Sequence, residues 1–506
     1  MKLFIAIPLI LLLDIQVSGQ TTFQKIYSSP DGAYIYSADP LNDGGYIFTM
    51  YPNSLTRTDS LGNIVWAKKF SSYNSNEDLT CRSAIQTLDS GFLMCTSAQL
   101  SLTTIYNLYI TKLNAAGDTS WVRYFSNYVL GLPLQNADST FTIYGAWNNS
   151  LSTYMMLMKL NTSGDTIWKK FIGHDATCLT ALIMPDHGYL LGGVVGYTNN
   201  DAFLVRTDSN GDTLWAKAFS TSYEDDIWSV CLGPDSSIFA AVTNHDNFGS
   251  HSDFSIIRLN YDGDTVWTRS YSGNHLLTVR KIFATNDSAL VVMGTDYLNG
   301  THRYFSAKLN TTGDTIWTWK QDTSSSLSPH SGGITSMNGI FFAGLGSTSG
   351  TSGGILAKGD SAGTIPCINE KLNLTISHPG YQEIKGQFAM VTGGFTIYSP
   401  GLQEGLLNLT VTDCNNIQGF SPEDFQGHHL IYPVPTSDFL NIVSENEFMV
   451  KVEVLNTSGV SELVQTLPAS ENRNTTRINV VHLMPGIYFL QIESKDKIYR
   501  MKFMKG

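Results

Sequence analysis

Lys112-Leu-Asn-Ala-Ala-Gly-Asp-Thr-Ser-Trp121 is one copy of a phrase that recurs along the chain, and its reading decides the fold. Asn114 and Gly117 fill the first and fourth positions of a type I turn. The Asx side chain caps such a turn, and the Gly accepts the backbone geometry that follows it. Lys112 lies in the strand entering the turn and Trp121 in the strand leaving it. The phrase also runs from Arg57 to Trp66, returns around Gly164, Gly211, Gly263 and Gly313, and survives in eroded form around Gly363. Counting from Gly62, successive glycines lie 55, 47, 47, 52, 50 and 50 residues apart. A period near 50 residues is that of stacked sheet repeats such as propeller blades.

Three residues before the glycines stand Asp59, Asn114, Asn161, Asp208, Asn260, Asn310 and Asp360. Five before them is always a base: Arg57, Lys112, Lys159, Arg206, Arg258, Lys308 or Lys358. Four after them comes Trp66, Trp121, Trp168, Trp215, Trp267 or Trp317, with Cys367 in the eroded copy. A ring of this size buries roughly 150–250 Å², so the tryptophans are read as wedges between neighbouring blades. The base is read as a solvated strand face, with stacking on the Trp ring as the alternative.

Upstream of each phrase is a second turn, as in Asp43-Gly-Gly-Tyr46, Asp89-Ser-Gly-Phe92 and Asp186-His-Gly-Tyr189, preceded by a short apolar strand. Each unit therefore holds four strands, and seven such units predict an all-β fold, a seven-bladed β-propeller over residues 20–370. The start of the mature chain, Phe23-Gln-Lys-Ile-Tyr27, looks like the end of a Trp strand such as Trp66-Ala-Lys-Lys-Phe70. It is the candidate for completing the last blade and removing open edges. The stretch 364–378 is the other candidate; it runs into a β-rich connector assigned to 371–429.

The bulk numbers agree with an exported sheet protein. Of 506 residues only 15% are charged, 42% are hydrophobic, and the net charge is −12. No basic stripe offers a phosphate-neutralising surface, so no nucleic-acid partner is expected. Lys2, the apolar run Leu3–Leu13 and the small residues Val17-Ser-Gly19 read as a signal peptide over 1–19. Asp14 interrupts that run well short of the ~20 apolar residues of a membrane span, and no other segment is apolar for long enough. Four of the six cysteines (Cys81, Cys95, Cys178 and Cys231) fall in strand-like runs and read as small buried residues. Cys367 and Cys414 flank one segment after the repeats and form the candidate disulfide.

From about residue 430 the repeat gives way to a second all-β pattern, read as a small β-sandwich over 430–506. It opens with Ile431-Tyr432-Pro433-Val434-Pro435, turns at Asn456-Thr-Ser-Gly459, and continues through Leu483 and Gly486-Ile-Tyr488 to a Lys-rich end. This segment resembles the type A sorting domain of the type IX secretion system of Bacteroidetes. The features that carry the resemblance are Tyr432, Pro433, Pro435, Gly459, Leu483, Gly486, Tyr488 and the basic C-terminus, while Val434 stands where the family usually has Asn. The resemblance implies passage through the periplasm and recognition by the outer-membrane translocon. The sorting domain is then removed or exchanged for a surface anchor, leaving the cargo secreted or on the cell surface. The repeats resemble the Trp- and Gly-marked propeller repeats of many such cargos.

Several patterns imitate chemistry. Gly359-Asp-Ser361-Ala-Gly363 fits a nucleophile motif, yet it aligns with the repeat turns at Thr58–Gly62 and Thr207–Gly211 and lacks a strand-to-helix context. Asn260-Tyr-Asp-Gly-Asp264 echoes a calcium loop without its distal Glu. The Gly-to-Trp spacing is near that of quinoprotein and sialidase repeats, but seven units and longer gaps set it apart. His174, His187, His245, His251, His275, His302 and His330 fall mostly in loops, and Glu224-Asp225-Asp226 reads as a solvated acidic face. No metal site, cofactor motif or catalytic constellation stands out, and the chain reads more as a binding or adhesion module than an enzyme. Unequal inserts mark the ligand face, with Ser71–Leu79 and Asp246–Ser252 as candidate loops and a glycan or surface polymer as partner. A glycosidase or lyase with carboxylates at the channel mouth is the competing expectation, and an envelope structural role the third.

Overall fold

The structure, a computed structural model of the chain, describes residues 22–413 apart from 30–31, 73–76, 101–105, 149–150, 197–199, 247–249, 322–325, 336–337, 349–350, 367, 369, 379–380, 386–389, 392–401 and 407–409. It further describes 429–432, 439–444, 449–455, 461–466, 475–483, 486–494 and 498–505. The chain divides into two compact units between Asn415 and Asn416. No α-helix occurs among the described residues, and no helix is long and apolar enough to cross a membrane.

Among the described residues the first unit is a ring of seven antiparallel sheets: sheet 1 (35–72), sheet 2 (77–126), sheet 3 (128–172), sheet 4 (176–220), sheet 5 (224–272), sheet 6 (276–320) and sheet 7 (326–358). Sheets 1–6 each contribute four consecutive strands, the first of them innermost; the first strand of sheet 7 packs on that of sheet 1 and closes the circle. Across this seam the Ser331 hydroxyl donates to the Ala38 carbonyl at 3.1 Å. Every sheet is a propeller blade.

Sheet 7 takes its fourth strand from the N-terminus. Phe23–Ser28 pairs antiparallel with Thr351–Lys358, Phe23 opposite Lys358 and Tyr27 opposite Gly354. Of the two closures the sequence left open, the ring uses this one.

The connector runs backwards around the rim instead. Glu370 exchanges backbone hydrogen bonds with Lys320 on the outer strand of sheet 6. Thr375–Ser377 then pairs with the outer strand of sheet 5, Gln382–Lys385 with sheet 4, Met390–Val391 with sheet 3, Leu402–Leu406 with sheet 1 and Thr410–Asp413 with the closing strand of sheet 7. This belt covers edges that would otherwise offer unpaired N–H and C=O groups to other chains.

The second unit has a three-stranded and a four-stranded antiparallel sheet. One core of Leu440, Ile442, Val452, Val454, Ile478, Leu483, Tyr488, Leu490 and Ile492 draws on strands of both, which makes it a β-sandwich. Gly486 opens the strand Gly486–Ser494, and Tyr432 ends His429–Tyr432. Pro433, Pro435 and Gly459, the pair Cys367 and Cys414, and the signal segment 1–19 lie outside the described residues.

Candidate functional site

The turn-bearing face of the ring is built by repetition. Each repeat glycine is left-handed, from Gly62 (φ 76°) to Gly363 (φ 77°). Each also receives an aromatic ring from the preceding sheet: Trp66 packs on Gly117, Trp121 on Gly164, Trp168 on Gly211, Trp215 on Gly263, Trp267 on Gly313 and Trp317 on Gly363. Phe23 takes the same place against Gly62, so the closing strand reproduces the wedge.

The repeated base is not a solvated face, and that expectation is corrected. In sheets 1–6 it lies opposite the Trp in register, as Arg57 opposite Trp66, but its head turns to the Asp of the upstream turn of its own sheet. Arg57 meets Asp43 at 2.6 Å, Lys112 meets Asp89 at 2.9 Å, Arg258 meets Asp235 at 2.6 Å and Lys308 meets Asp287 at 2.6 Å. Arg206, 1% exposed, grips Asp186 beneath the Tyr261 ring. A second base, two residues after the Trp, reaches the next sheet, as Lys170 to Asp212 at 2.6 Å. Lys25 makes the corresponding bond to Asn63 at 2.7 Å across the closing seam. Ser361 lies in the turn that Gly363 closes on the Asp360 carbonyl at 3.1 Å, and Asn260 caps its own turn at the Asp264 amide at 2.7 Å. Neither builds a nucleophile or an ion cage. Cys81, Cys95, Cys178 and Cys231 are buried and unbridged.

Strand alternation puts the second-to-third-strand loops and the inter-sheet loops on the opposite, variable face, and the chemistry gathers there. Each innermost strand slips register once, leaving one residue unpaired: Tyr36, Arg82, Val129, Leu179, Trp228, Arg280 and His330 in ring order. A β-bulge re-aims the side chain it carries, and all seven are partly exposed. Arg82 lies over the Tyr36 ring at 5.6 Å and Arg280 over Trp228 at 4.1 Å. Burial and the Arg280 charge push the His330 pKa down to about 4.

Between sheets 5 and 6 opens a cavity of about 470 Å³ lined by Asp226, Trp228, His245, Arg280, Tyr297 and His302. His245 Nε2 lies 3.2 Å from Asp226 and 3.9 Å from Glu224. Burial raises Asp226 above the usual carboxylate range, with His245 opposing. A neighbouring cavity of about 430 Å³ is lined by His251, Asp253, His275 and Asn299. There His275 Nδ1 sits 2.9 Å from Asp296, which also holds Arg303 at 2.8 Å. Of Asp246–Ser252, His251 and Ser252 border both cavities while 247–249 lie outside the described residues, and His251 stacks on Tyr223 with centroids 4.1 Å apart. Within Ser71–Leu79, Glu77 accepts from the Ser72 hydroxyl at 2.8 Å and from Tyr109 of the strand Tyr106–Leu113 at 2.6 Å.

Glu224-Asp225-Asp226 is therefore no solvated face. Asp225 is fully buried, accepts from the Thr221 amide (2.6 Å) and Asn244 (2.6 Å), and burial lifts its pKa to about 6. Among the described residues no three His, Cys, Asp or Glu side chains converge as metal ligands. The sequence reading missed the bulge residues, although five of them, Tyr36, Arg82, Leu179, Trp228 and Arg280, stand seven residues before the turn Asp. Aligning first strands on that Asp is the signal that finds them.

The family model of the secretion system C-terminal sorting domain matches residues 430–505. That region is a type IX sorting domain. The sorting domain marks the chain as type IX cargo, delivered to the cell surface or the extracellular space. No curated protein matches the chain. Among solved structures, the WD40 β-propeller domain of Doa1 is 12% identical with a TM-score of 0.41, over 66% of this chain and 96% of that one. Polysaccharide lyase Uly1 is 10% identical with a TM-score of 0.43, over 66% and 90%. A protein of unknown function from Bacteroides caccae is 9% identical with a TM-score of 0.32, over 49% and 93%.

Proposed function

We propose that the cargo carried outward by the sorting domain is a binding or adhesion module whose ligand, a glycan or surface polymer, enters the groove between sheets 5 and 6. The observation that carries this reading is the cavity holding Trp228 and Tyr297 beside Asp226, His245 and Arg280. Ligand sites combine apolar rings with a few placed polar groups in this way, and rigid scaffolds present them on variable loops. The mature protein on a glycan array tests it: binding above background supports the reading, and silence at saturating protein sinks the glycan version.

A carbohydrate-active enzyme is the second reading, favoured by His245 held against Asp226 at 3.2 Å. A base oriented by a carboxylate at the mouth of a groove is the minimum equipment of acid–base catalysis. Release of new chain ends from any polymer that binds, abolished in His245→Gln, would establish this reading; binding without release leaves the module reading standing.

A further inference from the structure

Of the eight arginines in residues 22–413, six are ion-paired: Arg57, Arg123, Arg206, Arg258, Arg269 and Arg303 each meet an aspartate. The other two, Arg82 and Arg280, form neither an ion pair nor a hydrogen bond among the described residues. Both are bulge residues of innermost strands, and both lie on the bulge aromatic of the preceding sheet. The carboxylate whose charge acts on Arg280 is Asp226, already 3.2 Å from His245. Trp228, Arg280, His330, Tyr36 and Arg82 follow one another around the ring in sheets 5, 6, 7, 1 and 2. Val129 and Leu179 complete the ring opposite them.

A half-buried guanidinium with no ion pair has given up part of its hydration, and the only charge acting on Arg280 that opposes this, Asp226, is already engaged with His245. The aromatic ring beneath it returns some of that through cation–π attraction and holds its plane, leaving the donor edge free. A fork of this kind matches two oxygens of a carboxylate or sulfate, in a way a lysine point charge does not. The chain as a whole carries −12, so its long-range field repels polyanions and recognition of one has to be local.

We infer that this arc of the channel mouth is an oxyanion-reading subsite, and that the polymer entering between sheets 5 and 6 is an acidic polysaccharide whose carboxylate or sulfate groups are taken by Arg280 and then Arg82. The inference rests on the binding-module reading and names its ligand class.

The test is binding of the mature protein to dextran sulfate, polygalacturonate and neutral dextran at matched ionic strength. The expected result is binding to one or both acidic polymers and none to dextran, the preferred polymer separating sulfate from carboxylate. Arg280→Gln should weaken binding about tenfold or more, the effect of losing one charged hydrogen-bonding group. Arg280→Lys should fall between, and Arg57→Gln, on the opposite face, should match the wild type. Thermal unfolding of each variant shows that the fold is kept. Equal binding to dextran overturns the acidic class while leaving a binding module; acidic binding undiminished in Arg280→Gln, Arg82→Gln and the double variant overturns the subsite. Binding to none of the three overturns the inference, and the glycan array then decides the module reading separately.

Discussion

The Trp66 ring lies so close over Gly117 of the next sheet that a Cβ placed there would stand 3.0 Å from Cζ2 and Cη2. Gly117 is thus required twice, once by its φ of 83° and once by the ring. Gly300 shares the first requirement, with a φ of 84°, but has open space where a Cβ would go. Gly300→Ala should therefore cost about 1 kcal/mol of backbone strain, and Gly117→Ala about 1–3 kcal/mol more from overpacking. Urea unfolding midpoints measure both, and in a Trp66→Ala background the excess at Gly117 should disappear. Equal losses at the two glycines in the wild-type background would show that the ring yields freely.

The closing strand makes the same side-chain bond to the next sheet as the fourth strand of sheet 5. The Tyr27 hydroxyl donates to the Gly62 carbonyl at 2.6 Å, and Tyr271 makes the same bond to Gly313 at 2.6 Å. Tyr27→Phe and Tyr271→Phe each leave a buried carbonyl short of one donor and should each cost about 1–2 kcal/mol. A Tyr27→Phe loss several times larger than its counterpart, by denaturant titration, would mark the seam as the weak point of the ring.

The repeated bases differ in how far they are buried, and their worth should follow. Arg206→Met removes a 1%-exposed guanidinium and should cost about 2–4 kcal/mol, because it strips a nearly buried partner from Asp186 and Tyr261. Lys159→Met breaks a 3.2 Å pair with a half-exposed Asp138 and should cost about 0–1 kcal/mol. Chemical denaturation ranks them, and the reverse order would refute the burial argument.

His330 makes the channel mouth sensitive to acid. Burial and the charges of Arg280 and His302 lower its pKa from 6.5 to about 4, while its hydrogen bond with the Ile35 backbone opposes them. The unfolded chain therefore takes up this proton first as pH falls, and stability is lost between about pH 6.5 and 4. His330→Gln should remove that slope, gaining on the order of 2–3 kcal/mol relative to the wild type at pH 4 compared with pH 7. Asp39 and Asp225, raised to about 6 by burial, act in the opposite direction between about pH 4 and 6 in both proteins and cancel in the comparison. A pH-independent difference in unfolding free energy would show that His330 titrates normally.

The blade unit was legible because its signals are local. A type I turn, its Asx cap and its glycine are fixed by residues three apart, and copies recurring 47–55 residues apart specify stacked sheets with no long-range information. The sandwich at the C-terminus was legible for the same reason, through strand alternation. What each side chain meets across sheets was not. Whether Arg57 faces water or Asp43 depends on register between two hairpins, and a one-residue slip reverses every face. The path of the belt is equally silent in the sequence, since its short strands take their positions from the edges they cover.

The sequence by itself thus determined the kind of unit and the export domain, because turn chemistry and strand alternation act between neighbours in the chain. Only the tertiary structure decided that Phe23–Ser28 closes the ring, that the connector circles it, and that Tyr36, Arg82, Trp228, Arg280 and His330 share one arc. These residues stand up to about 300 positions apart. They share one arc because the innermost strands, each with one register slip, pack on one another around the ring, and that order is set by packing between sheets rather than by any residue's neighbours in sequence.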